Sequence, residues 1–581
     1  MAKKGGAMHV ARIVSRQKNK AGEIQEYVSH LVRRTYRENG KVKHETLANV
    51  SHLPRHAVDA LTQTLAGRSL IDTDDIDITR SLSHGNVAAV MAVAKQLGFP
   101  SILGPSGRHR DIAMALIAAR VIQPGSKLAT KNWWADTTLG ADLGINDASI
   151  DEVYTAMDWL VGRQGEIEKS LVDRHLTDGG QVLFDLSSSW VEGHCCSLAA
   201  HGYSRDGKRG LEQIEYGVLT DTAGRPCAVR VFPGNTGDPM AFIEAVQAVQ
   251  ETFGLRHVVM VGDRGMITSA RIDALRETGG IGWITALRAP QIARLAADGG
   301  PLQPTLFDET NLADICHPNF PGERLVACRN PFLAAERSRK RNELLAATEK
   351  ILAPIMTAVE EGRLVGSGAI GVAVGKVIKK YKVAKHFMVT ITDTGLTVTR
   401  QEEAIAAETA LDGIYIVRAS EKHNQMDSAG IVTAYKNLSQ VERVFRTIKT
   451  TDLEVRPIYH YLDNRVRAHL LICLLAAYIT WHLRKKLAPL TFTDENPQDR
   501  VDPVAPAQRS DSARQKAARK QQPDGTPLYS FRGLLAHLAT LTRNDLRVHD
   551  GTMQLFARAT ETQRKVFQLI GVPIPKTLGS Q

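Results

Sequence analysis

Two short apolar runs, each carrying a single aspartate, constrain this chain most. Val182-Leu183-Phe184-Asp185-Leu186 has the composition of a strand buried on both faces, yet it holds one acid. Val258-Val259-Met260-Val261-Gly262-Asp263 is equally apolar, ends on another acid and is followed by Arg264-Gly265. An ionised carboxylate in such a setting is costly unless it is paired or binds a cation. Carboxyl ends of strands are also where open α/β sheets place their sites. Taken singly, each acid reads more readily as a salt-bridged or capping aspartate, so a chemical role needs a third group.

The surrounding pattern is α/β. Residues 182–186, 212–219 and 226–232 read as three consecutive strands, the last two joined by a turn at Ala223-Gly224. Asp238-Pro239 reads as a cap with proline at the first helical position, opening a helix over 240–253. A fourth strand over 257–261, a helix over 269–277 closed by Gly279-Gly280, and a fifth strand over 283–286 follow. Strand, strand, strand, helix, strand, helix, strand is the element order of an RNase H-like mixed sheet, which is the fold class expected.

The rest of the chain divides around this core. Residues 1–65 read as a basic β-rich module with a turn at Asn39-Gly40, and 66–175 as a helical module. Its short helices suit helix-turn-helix DNA binding and a structural bundle alike. The core is expected over 176–290 and 413–488, with helices over 431–449 and 463–486. An insertion domain over 291–412 interrupts it, with a polar helix over 336–361, a glycine-rich turn over 366–371 and a basic run over 376–385. Residues 489–525 read as a flexible linker and 526–581 as a helical C-terminal tail.

Composition narrows the partner. At 581 residues the chain needs several domains, and 43% hydrophobic with 23% charged residues is ordinary for a globular protein. A formal net charge of +11 suits a polyanion, of which nucleic acid is commoner than a membrane surface. The longest apolar run, 470–479, is about half of a membrane span. The first residues lack the apolar core of a signal peptide, and six scattered cysteines show no CxxC pair. A cytoplasmic, nucleoid-associated protein with no membrane partner is expected.

The third acid is Glu442. Tyr435, Glu442 and Lys449 recur every seven residues, which on one 3.6-residue helix puts them within ~40° of each other. Ala434, Leu438, Val441, Val444, Phe445 and Ile448 fill the adjoining sector and are expected to pack on the sheet. Lys436, Gln440, Arg443, Arg446 and Thr447 fall on the far side of the stripe. Glu442 thus sits at the border of core and solvent, beside Arg443 and Arg446, on what reads as a phosphate-facing surface. Three carboxylates suit a pair of Mg²⁺ ions, hard cations that take oxygen ligands. Two such ions serve in-line phosphodiester displacement.

These motifs together resemble the DDE transposases of bacterial insertion sequences. The nearest branch is the insertion-sequence-four superfamily, whose third-acid motif is Y-x2-R-x3-E-x6-K. Here that motif reads Tyr435, Glu442 and Lys449, with Leu438 in place of the arginine. Gly202-Tyr-Ser-Arg-Asp-Gly207, Pro233-Gly-Asn-Thr-Gly-Asp238, Val261-Gly-Asp-Arg-Gly265, Leu411-Asp-Gly-Ile-Tyr415 and Arg465-Val-Arg-Ala-His469 also match. The resemblance spans residues from about 110 to 485 and implies a catalytic, metal-binding triad of Asp185, Asp263 and Glu442 with two Mg²⁺ or Mn²⁺ ions. It implies terminal inverted repeats and target DNA as double-stranded partners, a homodimer in the DNA complex, and phosphate contacts from Tyr435 and Lys449. Arg443 and Arg446 are the candidates to replace the missing arginine.

Other basic residues are less specific. Arg205 and Lys208 lie on a loop where DNA contact and simple solvation are both open, and the basic run over 376–385 reads either as a DNA contact or as a solvated strand face. Trp283 in its apolar strand and His469 in its helix read as packed residues, and Asn235 and Thr236 as turn formers. The functional reading is an active transposase. The alternatives are an RNase H-like nuclease that only hydrolyses DNA and a domesticated DNA-binding protein without catalysis.

Overall fold

Alternating polar and β-branched residues open the chain as long strands. β1 (Ala7–Lys18), β2 (Ile24–Glu38) and β3 (Lys41–Asn49) form an antiparallel sheet in that order. The computed structural model describes residues 6–18, 24–38, 40–68, 76–193, 195–297, 299–497, 502–548 and 551–574. Asn39 of the expected turn lies outside them, while Gly40 takes the positive φ, 76°, that such a turn requires. Helix Arg55–Leu65 follows, and β4 (Ile76–Ser83) joins a hairpin made by Thr542–Val548 and Gly551–Phe556. Among the described residues, one compact unit runs up to Leu82 and takes in Arg543–Ala557; the other is Ser83–Thr542 with the helix that follows Arg558. The tail expected to be helical has helices Phe531–Ala539 and Glu561–Ile570 on either side of that hairpin; residues 575–581 lie outside the description.

In the larger unit the two apolar runs become neighbouring strands of an eight-stranded mixed sheet. Its strands are β5 (Gln181–Trp190), β6 (Gln213–Thr220), β7 (Pro226–Pro233), β8 (Val258–Val261), β9 (Ile281–Ala286), β10 (Leu312–Ile315) and β11 (Arg324–Arg329). After a separate hairpin of β12 (Phe387–Ile391) and β13 (Leu396–Arg400), β14 (Ile414–Ala419) completes it. The order is β10-β11-β14-β9-β8-β5-β6-β7. β5, β8 and β9 are parallel, and every other pairing is antiparallel.

The helical module begins at Gly85–Gln96, later than residue 66. In Arg108–Ile122 every residue from Ile112 onward is buried, so these turns of the helix belong to the core. It packs against Asp463–Lys486. That helix is long and apolar enough by composition to cross a membrane, yet most of its apolar stretch is buried inside the fold.

The interrupting segment is shorter than expected, because β10 and β11 belong to the main sheet. What leaves the sheet is helix Pro331–Glu360, helix Ser367–Ile378 and the β12–β13 hairpin, with a core around Leu345, Leu352, Ile370, Val374 and Phe387. The glycine-rich stretch read as a turn is the start of a helix. Ile370, Val374 and Ile378, four apart, bury one face against Pro331–Glu360, and that burial outweighs the ~1 kcal/mol cost of each helical glycine. The basic run is not a strand face: Lys376 lies in the helix's last turn and Lys385 pairs with Glu408. At the segment's root Arg341 donates to both Asp412 carboxylate oxygens at 2.6 Å.

The expected linker is also structured. Val504 and Ala513 are buried, helix Asp511–Arg519 forms, and Lys516 Nζ reaches the Ala488 carbonyl at 3.2 Å. Its polar average hid the few residues that pack. Residues 498–501 of that stretch lie outside the description.

Candidate active site

Parallel pairing of β5 with β8 sets Leu183 opposite Val261, so Asp185 and Asp263 each follow the same rung by two residues. Adjacent strands stand ~4.8 Å apart, which brings Asp185 in the middle of β5 beside Asp263 at the carboxyl end of β8. Asp185 is partly buried and accepts the N–H of its own neighbour Leu186 at 2.8 Å. Burial first, and then the charges of Asp263 and Glu442, push its carboxyl up to about 7, against the Leu186 N–H and Arg205.

Glu442 arrives from a helix that is less regular than its heptad spacing implies. Ser428–Lys436 stops at Asn437, Leu438–Arg446 follows, and Thr447–Thr451 continues as a π-helical turn. Val441, Val444 and Phe445 are buried against β5 and β6, the Phe445 ring lying edge-on to Tyr216 at 5.9 Å. Ala434 and Ile448 are buried as expected, and Leu438 is half-buried. The break and the π-turn shift the far side: Thr447 is buried, and Lys436 Nζ donates to the Val504 carbonyl at 2.7 Å. Glu442, Arg443 and Arg446 remain exposed.

Tyr435 belongs to the same cluster. Its phenol is pushed up to about 12 by burial and by Asp263, with smaller contributions from Asp185 and Glu442 and opposition from Arg264. Asp263 and Glu442 are exposed, and neither carboxylate has a hydrogen-bond or ion-pair partner among the described residues. No three described His, Cys, Asp or Glu side chains stand gathered as a finished metal-holding group. The donor set itself fits a hard divalent cation: all oxygen, mutually repelling, and largely without internal partners.

The basic residues sort differently from their sequence reading. Arg205 is not a solvated loop residue. It donates to Glu215 at 3.0 Å and to Asp238 at 2.5 Å, and its own N–H donates to Ser188 Oγ at 3.1 Å. It thereby ties the loop to β6 and to the first residue of helix Asp238–Gln247, where Asp238 makes no capping bond and Gly237 is the cap. Glu215, buried beneath, is pushed up to about 7 by desolvation despite Arg205. Lys208 is exposed, with its ammonium 5.3 Å from the centre of the Trp190 ring.

Lys449 does not face outward. Its ammonium donates to Asp206 Oδ1 at 2.8 Å, and the Arg456 guanidinium donates to the same oxygen. The side chains of Lys449, Arg456 and Asp206 are 10%, 18% and 3% exposed, so this is a buried two-cation, one-anion junction. It joins the loop after β5 to the π-turn that ends the glutamate helix. The π-turn rotates Lys449 off the line of Glu442, which a uniform 3.6-residue period does not anticipate. Asp206 is the functional-site residue that sequence reasoning missed. Its position inside Gly202-Tyr-Ser-Arg-Asp-Gly207 was the available signal, yet charge pairing over some 240 residues is invisible in one sequence.

Trp283 is 5% exposed in β9, with Arg276 over its ring at 5.3 Å, and His469 is likewise enclosed.

Comparison with known families decides the identity. The transposase DDE domain family matches residues 189–479, a span that holds Asp263 and Glu442 and begins four residues after Asp185. The chain belongs to the DDE transposases of insertion sequences. The N-terminal domain of the IS1634 family transposases also matches, over residues 13–73 of this transposase. No curated protein matches the chain. A solved piggyBac transposase synaptic complex with hairpin DNA aligns at 9% identity and a TM-score of 0.32, covering 78% of this transposase and 76% of that chain.

Proposed function

We propose that this transposase cuts and joins DNA with Asp185, Asp263 and Glu442 as its acid triad. The observation carrying that reading is the shared rung: Asp185 on β5 and Asp263 just beyond the parallel neighbour β8 each follow it by two residues, joined electrostatically by a glutamate from the helix packed over β5. The sub-order β7-β6-β5-β8-β9, antiparallel on one side of β5 and parallel on the other, supports an RNase H-like core, with β14, β11 and β10 extending it. The segment between β11 and β14 is then an insertion within that core.

The three carboxylates would hold two Mg²⁺ or Mn²⁺ ions. When bound, such a pair activates an attacking oxygen and stabilises the leaving one in an in-line displacement. The chain's own residues arrange the rest. Phe445 and Val441 fix the helix that carries Glu442, Arg205 braces the loop beside Asp185, and Tyr435 lies against the acids with a phenol that stays protonated at neutral pH. Arg443 and Arg446, exposed on the glutamate helix, and the exposed Lys208 would contact DNA phosphates. Lys449 acts by setting the helix end rather than by touching DNA.

The substrates are the terminal inverted repeats of the element and a target duplex, handled by a homodimer because two ends must be cut together. A strand-transfer assay with a labelled repeat end and a plasmid target tests this. Joined products support it, and hydrolysis without joining identifies a nuclease instead.

A further inference from the structure

Behind the glutamate helix lies a cavity of about 280 Å³ whose charge is one-sided. Arg120, Lys127, Tyr154, His460 and His469 line it, and Glu454, the acid on its wall, is drawn away to Arg532 at 2.9 Å. Lys127 is 5% exposed and has no carboxylate partner among the described residues. Its ammonium donates to His469 Nδ1 at 3.1 Å, and His469 spends its Nε2–H on the Val455 carbonyl at 3.1 Å. His469 is therefore a neutral acceptor and offsets none of the charge. Arg120 is 5% exposed and among the described residues donates to carbonyls alone, of Leu453 at 3.3 Å and Gly125 at 2.9 Å. His460 makes ring contacts with His469 and Tyr154 and has no hydrogen-bond partner among the described residues. Over Tyr154, at 4.3 Å from its ring centre, lies the guanidinium of Arg465, whose Nε is buried without a partner.

Burying cations without an anion is expensive, and a fold that keeps several of them around an open space has left a charge to be matched. The first turn of helix Lys127–Ala135, capped by Ser126, also lines the space and adds its N-terminal dipole. At ~30 Å³ per water, the volume admits one tetrahedral oxyanion together with several waters. We propose that this cavity is a binding site for a phosphate group, separate from the carboxylate cluster, with Lys127 and His460 contacting the anion and Arg120 supplying charge behind them. The Lys127 ammonium keeps donors to spare once His469 is satisfied, and His460 offers a free ring nitrogen. Burial and the neighbouring cations hold Lys127 down to about 7 and His460 to about 3, and a bound anion relieves both costs.

The test uses the full-length protein. Thermal unfolding and calorimetric titration are run with inorganic phosphate, and with sodium chloride at matched ionic strength. Phosphate is expected to bind saturably and to raise the melting temperature, and chloride is not. Lys127→Met is expected to abolish the effect and His460→Ala to weaken affinity about tenfold or more. If Lys127→Met does not fold, Lys127→Gln and His460→Ala carry the comparison. Equal stabilisation by chloride, or wild-type phosphate affinity in both His460→Ala and Lys127→Gln, overturns the proposal. A competition arm identifies the source: a short duplex that displaces phosphate makes the group a DNA backbone phosphate, and phosphate retained beside DNA makes it a free anion. Asp185→Asn is expected to bind phosphate normally, so failure of the acid triad and failure of this site are read separately.

Discussion

Asp185 on β5 and Asp263 just beyond β8 stand at the same level of two parallel strands, each two residues past the Leu183–Val261 rung. One acid is partly enclosed and the other exposed, so their surroundings differ. Burial, Asp263 and Glu442 push the Asp185 carboxyl up to about 7, because each opposes its ionisation. A divalent cation reverses that opposition, which is why the pairing of a buried and an exposed acid suits a metal site.

The glutamate helix is held to the sheet by Phe445 together with Val441 and Val444. Phe445 is 6% exposed and meets Tyr216 edge-on. Phe445→Ala is expected to destabilise the protein by about 3–5 kcal/mol in denaturant unfolding, as large-to-small core changes do. DNA cleavage at a temperature where the variant is folded should still fall, because Glu442 lies one turn away. Unchanged cleavage in a destabilised variant would show that the helix does not need this anchor to place Glu442.

The Asp206 junction makes a second, asymmetric prediction. Asp206→Ala strands two buried cations, Lys449 and Arg456, whereas Lys449→Met leaves Asp206 paired with Arg456. Breaking a buried pair by removing one partner costs about 3–5 kcal/mol. Unfolding free energies should therefore rank wild type above Lys449→Met above Asp206→Ala. The salt dependence of DNA binding should be the same in Lys449→Met as in wild type, because a lysine engaged internally releases no counterions from DNA. A flatter salt slope would return Lys449 to the DNA surface.

How far the sequence carries can be seen in particular residues. β5 to β9 were legible because buried strands are continuous apolar runs, and Asp185 and Asp263 stood out against them, whereas β10 and β11 of the same sheet were hidden inside the stretch read as an insertion. Ala434, Val441, Val444, Phe445 and Ile448 were legible as a packed face because helical periodicity survives small irregularities. The orientations of Lys449, Thr447 and Lys436 were not, since a break at Asn437 and a π-turn leave no mark on composition. The helix Ser367–Ile378 was hidden behind its glycines, and the packing of Val504 behind a polar average. The partners of Arg205 and Lys449 are separated from them along the chain, so only the fold brings them together.

Lys127 predicts a pH dependence. Its folded value is near 7, held down by burial and by Arg120, with Cys473 opposing and the neutral His469 in contact, against 10.5 for an ordinary lysine. Between those values the unfolded chain binds the proton and the folded one does not, so this group makes stability rise with pH. The rise should approach about 1.4 kcal/mol per pH unit above neutrality and level off near the unfolded value. Lys127→Met should flatten that rise and be more stable than wild type at pH 7. A variant whose stability follows the wild-type pH curve would mean that Lys127 is not titrating between these limits.

The acid triad is tested most directly by comparing gel-shift binding with cleavage of a labelled repeat end in Asp185→Asn, Asp263→Asn and Glu442→Gln, in Mg²⁺ and again in Mn²⁺. Each change keeps side-chain size and removes one charge that a hard cation needs. End binding should survive, or tighten as repulsion of phosphates falls, while cleavage and strand transfer are both lost, because one ion pair serves both steps. Near-normal cleavage by any one of the three variants would contradict the assignment of that residue.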